Sequence, residues 1–382
     1  MDKHLSKNQK PGKVRALSIH ADYRCRHSGV CCTMDWDVPM ELRVYRSLQD
    51  AVATGRLKTS AAAAGLEPFV PDPELPEDAA AIFERLESGA CVFFDQDSRL
   101  CMVHRDLGEE ALATTCRTFP RLAVDDARGT SITLSHFCPT AASLLFRDDV
   151  PLEIVESPPA FPPADYDGLT ATRDDLPPLL RPNVLMDLDG YTAWERHMVA
   201  VCAAAPDAES ALVTMALDAA SLRTWTGGGG VLVAAVARLP REIVHGAPHA
   251  SLAISLAAYR EAMQCVSQEM RPEPDEAGLA EAFTAYVVPE WHRFPAPLRR
   301  YVAAKAFASW TAYQGRGIAT IVRGLEAALA LVRVEAARQC RDAGAPLDAE
   351  RLKQAFRQAD FVLNHLAVGE ELADAWSVAE ST

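Results

Sequence analysis

Two periodicities divide this chain. In the first third, apolar residues come in short runs that alternate with polar ones. In the second half they recur about every 3.6 positions. Val14 to His20 alternates and predicts a strand. Pro39 to Thr54 has helical spacing, with its proline in the first turn, where the missing N–H costs nothing. Ala61 to Pro76 reads as a loop, and Glu77 to Ser88 as a short helix. Cys91 to His104 predicts a hairpin around Asp95-Gln96-Asp97-Ser98, and Leu122 to Leu134 a second one. Between them, Glu109 to Arg117 predicts a helix that stops before Pro120. Cys138-Pro139 opens another helix. From Pro151 to Pro182 prolines crowd the chain, as in a linker. Helical spacing then covers Tyr191 to Ala204, Ala208 to Leu222, Val231 to Val244, Pro248 to Met270, Leu298 to Tyr313, Ile318 to Asp342 and Asp348 to Val368. The expected architecture is α+β: a basic tail with a lead-in strand (1–22), a small α+β cysteine-cluster domain (23–150), a linker (151–182) and a mainly α-helical domain (183–382).

Composition narrows the function. A length of 382 residues suits two domains, and 49% hydrophobic with 24% charged residues is ordinary for a globular protein. A net charge of −14 argues against a nucleic-acid binder, which needs a basic face. No apolar run approaches the ~20 residues that span a bilayer, and no hydrophobic stretch follows the N-terminal lysines as in a secretory signal. The expected location is the cytoplasm, where thiols stay reduced and serve metal or redox chemistry. The first 26 residues carry seven Lys and Arg against two acids, which reads as a solvated tail.

The cysteines change the picture most. Seven of ten fall between Cys25 and Cys138, where uniform scatter would place about three. Cys25, Cys31, Cys32, Cys91, Cys101, Cys116 and Cys138 are candidate metal ligands, because thiolates hold zinc and iron–sulfur clusters. A hairpin brings Cys91 and Cys101 together. Adjacent Cys31 and Cys32 would point to opposite faces of a strand, so sharing one centre requires a turn, which Gly29 can supply. Cys138, at a helix start, is placed where the dipole favours a thiolate. A closed cluster takes four thiolates, so seven leave a surplus for a second centre, for an open coordination position or for ordinary burial. His27, His104 and His136 each stand two or three residues from a cysteine, where an imidazole either completes a zinc site or is an outer partner or surface residue. Cys202, Cys265 and Cys340 lie in helical apolar patterns and read as buried hydrophobes. Arg117 and Arg121 flank Cys116, where a guanidinium would offset an anionic cluster or bind a carboxylate. Trp36 would shield the metal or line a pocket. The glycine tract 227–230 reads as a helix connection.

The segments YRCRHSGVCCTMDWDVP, CVFFDQDSRLCMVH, CRTFPR and LSHFCPTAA, in this order, resemble the YkgJ-type cysteine-cluster proteins, described as zinc- or iron-chelating. Within that group the chain is most similar to the flagellin lysine N-methylase branch. The resemblance is specific over residues 23 to 145 and architectural after 183. It departs at Ser28, which stands where C-x2-C-x2-C-C has its second cysteine. The resemblance implies an iron–sulfur centre, of the 4Fe–4S kind, and methyl transfer from S-adenosylmethionine to lysines of a protein substrate such as flagellin. The chain itself shows no G-x-G-x-x-G after a strand, so the donor would bind at an open iron. Methyl transfer needs a neutral amine, and Tyr23, Asp35 and Asp37 are the nearby proton acceptors. A zinc- or iron-holding module without catalysis, and a redox protein, are the alternatives.

Overall fold

The computed structural model describes residues 13–34, 36–71, 79–164, 166, 168–171, 177–227, 231–247, 251–271 and 275–377. The basic tail before Lys13, Asp35 and most of the 227–230 tract lie outside these residues. About 52% of the structure is helix, with small sheets beside it. No helix among the described residues is long and apolar enough to cross a membrane. The chain forms two compact units, one of Arg24–Leu122 with Asp165–Asp167, the other of Met1–Tyr23, Ala123–Ala164 and Gly168–Thr382.

The smaller, cysteine-bearing unit is built on a three-stranded antiparallel sheet, with Ala79–Phe83 paired between Pro39–Glu41 and Phe69–Val70. The helix expected over Glu77 to Ser88 is instead the strand Ala79–Phe83, followed by irregular chain with one bridge at Arg85. Its alanines favour helix weakly, but pairing on both edges and the inward burial of Ala81 and Phe83 override that preference. Helix Leu42–Ala53 turns Val44, Leu48 and Ala51 inward. They join Met40, Phe69, Phe83, Val92, Phe93 and Val103 in one core. Phe93 fixes its centre, with ring centroids 5.6 Å from Phe69 and 5.7 Å from Phe83. The hairpin Phe94–Asp95/Leu100–Cys101 forms as expected and pairs Phe94 with Cys101. The short helices Met102–Leu107 and Thr114–Thr118 follow.

The larger unit carries a five-stranded mixed sheet, ordered Gly168–Thr170, Arg121–Asp126, Gly129–Leu134, Val14–Leu17, Ile154–Glu156. Val14–Leu17 runs parallel to Gly129–Leu134 and antiparallel to Ile154–Glu156. This sheet relocates the boundaries expected from sequence. Residues 123 to 150 belong with the helices: Leu17, Ile19, Val124 and Leu145 share one core with Trp194, Tyr301 and Phe356. The proline-rich 151–182 stretch likewise supplies three strands and the fully buried Phe161, so it is not a free tether where described. The helices centre on Ile318–Ala343, buried on nearly every face. Its charges are neutralised in place, as where Arg333 meets Glu209 at 2.8 Å. Asp187, Asp207 and Asp348 cap Leu188–Ala204, Ala208–Leu222 and Ala349–Phe361 through their side chains. The helix expected from Val231 to Val244 is confined to Leu232–Ala237, since Pro240 forbids its continuation. The turns of Leu279–Trp291 and the helix Gly369–Ser377 are additional.

Candidate metal centre

The centre begins at Gly29. Its φ of +76° is the left-handed conformation, and a Cβ there would lie 2.8 Å from the Phe94 ring, so only glycine fits. This residue starts the one-turn helix Val30–Thr33. In a helical turn adjacent side chains are not opposed, and the sulfurs of Cys31 and Cys32 stand 3.9 Å apart. The turn expected for this pair is thus present. The Cys91 N–H donates to the Cys32 carbonyl at 2.7 Å, which ties the hairpin segment to the double cysteine.

Cys101 ends the hairpin and begins helix Met102–Leu107. Its sulfur takes a hydrogen bond from Cys32 and the amides of His104 and Val103, which against its burial bring the thiol down to about 7. The hydrogen bond from Cys32 likewise lowers Cys31, while Cys32, giving up its proton to neither, is pushed up by Cys101, Cys31 and burial. Burial pushes Cys91 up to about 11. Burial also raises Cys116 well above the ordinary thiol, with Cys91, Cys31 and Cys101 adding to the rise. Hydrogen bonds join Cys31, Cys32 and Cys101, the Cys91 backbone bonds Cys32, and Cys116 is near enough to feel the charge of Cys91, Cys31 and Cys101.

Two cations face this group, Arg105 near Cys101 and Arg85, a residue that sequence reasoning passed over. It pairs with Cys91 in a backbone bridge. Its Nη1 donates to the Cys32 carbonyl at 3.3 Å and its Nη2 to the Trp36 carbonyl at 2.7 Å. Its buried Nε–H has no hydrogen-bond partner among the described residues. Its charge favours the ionised forms of Cys31, Cys91 and Cys116.

The remaining candidates are placed as follows. Cys25 is exposed and accepts the His27 N–H at 3.4 Å. His27 and His104 bring their rings to 5.4 Å. Arg117 turns to Thr114 at 3.4 Å and Glu110 at 3.9 Å. Arg121 donates to the carbonyls of Arg117 and Thr118. Trp36 packs edge-on against Phe119, 5.6 Å between centroids. Asp37 is exposed. Cys138 caps Pro139–Leu144 as expected, but it belongs to the larger unit. There its sulfur lies 3.7 Å from the buried Tyr23 hydroxyl. His136 is also in that unit and fully buried. Cys202, Cys265 and Cys340 are buried in the larger unit's core.

Among the described residues, no three His, Cys, Asp or Glu side chains meet at metal-ligand spacing as they stand. Donor chemistry and charge nevertheless suit a soft metal. Several soft sulfur donors gather in one half-buried place, one of them ionising near neutrality, beside a guanidinium N–H that lacks an acceptor among the described residues. No family model, curated protein or solved structure matches the chain.

Proposed function

We propose that the chain is a cytoplasmic iron–sulfur protein that methylates lysine side chains of a protein substrate such as flagellin, with S-adenosylmethionine as donor. The observation that carries the metal half is the convergence of Cys31, Cys32, Cys91, Cys101 and Cys116 from four separate stretches of sequence. Five sulfurs exceed the four that close a cluster. The methyl-transfer half rests on the resemblance of residues 23 to 145 to the flagellin lysine N-methylases.

In this reading the cluster supplies an iron for the amino and carboxylate groups of the donor. The protein's own residues do the rest. The cysteines hold the metal, and the left-handed Gly29 keeps Cys31 and Cys32 on one side. The core around Phe93 and Val103 keeps water away from the sulfurs on the protein side. Trp36 and Arg117 are the side chains assigned to the donor.

The test is anaerobic reconstitution with iron and sulfide, then calorimetric titration with S-adenosylmethionine and mass spectrometry of flagellin incubated with both. Micromolar donor binding and added methyl groups on flagellin lysines are expected. A reconstituted protein that binds no donor would refute methyl transfer and leave a non-catalytic metal module.

A further inference from the structure

Resting on the metal reading above, we propose that Arg85 is the counter-charge of the centre, a positioning residue that makes an anionic thiolate–metal group tolerable in this half-buried place. Two observations carry it. Arg85 is fixed by the residues it serves, because its two Nη groups bond the carbonyls of Cys32 and Trp36 and its backbone pairs with Cys91. A charge tethered to the ligand-bearing segments moves with the sulfurs and pays no further ordering cost when metal binds. Second, its Nε–H is buried without an acceptor among the described residues. A buried donor left unmade in a native structure calls for an acceptor, and metal-bound sulfur supplies one with the right charge.

Four thiolates around a divalent metal leave the group with net negative charge, and its burial is unfavourable unless a cation stands nearby. The two arginines singled out from sequence do not fill this role, since Arg117 turns to Thr114 and Arg121 to main-chain carbonyls.

The test uses the full-length chain, stripped of metal under reducing conditions and titrated with Co2+, whose sulfur-to-metal absorption reports thiolate ligation. Wild type, Arg85→Lys and Arg85→Met are compared, with far-ultraviolet circular dichroism as the check on folding. Arg85→Met is expected to bind Co2+ at least about tenfold more weakly, as a lost unit charge at this range implies. Arg85→Lys keeps the charge and is expected to stay within about threefold of wild type. Equal weakening in both variants would assign Arg85 to bracing the two carbonyls and overturn the counter-charge role, as would an Arg85→Met affinity equal to wild type. If Arg85→Met does not fold, Arg85→Lys decides alone: near-wild-type binding supports the charge role, and a tenfold loss overturns it. Wild type that gives no sulfur-to-cobalt band would instead sink the metal reading itself.

Discussion

Asp360→Asn offers the sharpest test of how the larger unit is held together. Asp360 is fully buried, and its carboxylate accepts four hydrogen bonds. The Tyr301 hydroxyl and Lys305 Nζ bond Oδ1 at 2.7 and 2.5 Å, and the His136 amide and Nδ1 bond Oδ2 at 2.6 and 3.1 Å. A carboxylate only accepts, so His136 carries its proton on Nδ1. Its bare Nε2 then accepts from His20 Nε2, 3.3 Å away. Burial by itself would raise the Asp360 pKa, but Lys305 and His136 hold it well below the usual carboxylate range. An asparagine keeps the shape and loses the charge. Its NH2 must face either the Tyr301 and Lys305 donors or those of His136, and the Lys305 ammonium is left buried without a counter-ion. Breaking a buried pair in this way costs about 3–5 kcal/mol. That is a large part of the ~5–15 kcal/mol that stabilises a domain. Urea unfolding followed by tryptophan fluorescence reads the loss, since five of the six tryptophans lie in this unit. The expected outcome is a lower midpoint at unchanged slope. Adding Lys305→Met should recover at least ~1 kcal/mol of the loss, because the stranded charge is gone. A loss below ~1 kcal/mol, or strictly additive single and double variants, would refute the reasoning.

His365, brought down to about 4 by burial, is neutral in the fold where the unfolded chain binds a proton; stability therefore falls as pH drops from about 6.5 to about 4, by up to ~3 kcal/mol, and a His365→Gln pH series should be flatter across that window. Buried His20 and His136 are shifted in the same direction and add to the acid sensitivity. Gly29→Ala forces a side chain into φ +76° against Phe94; a loss of ~1–2 kcal/mol and depleted metal are expected by urea unfolding and metal analysis, and a fully loaded, stable variant would show that the turn does not set the sulfurs. Alanine at Cys31, Cys32, Cys91, Cys101 or Cys116 should lower bound metal, whereas Cys202→Ala should only destabilise the larger unit; the reverse pattern would place the centre elsewhere.

Much of the local structure was legible in the residues because it depends on near neighbours. The hairpin Phe94–Asp95/Leu100–Cys101, though Cys91 bridges Arg85 and not Cys101, the turn at Gly29, the helix opened by Cys138-Pro139 and the long helices after residue 188 all follow from turn residues, proline and period. What escaped was set by partners far along the chain. Arg85 looks like any surface arginine until the strand Ala79–Phe83 and its bridge to Cys91 bring it beside Cys32. His20, His136 and Asp360 are separated by 116 and 224 positions, and no periodicity marks a buried polar network. The domain limit at 150 failed for a related reason. The pairing of Val14–Leu17 with Gly129–Leu134 and Ile154–Glu156 is a long-range event, and it draws residues 123–164 into the larger unit, Cys138 among them. Prolines at 151–182 suggested a tether, but edge strands and connecting turns tolerate proline equally well.

The most direct test of the central claim is the iron, sulfide and zinc content of the protein purified without oxygen, read together with its visible spectrum. A brown protein with about four irons and four sulfides per chain is the predicted result. Stoichiometric zinc without a visible band, or no bound metal, would contradict an iron–sulfur centre built from these cysteines.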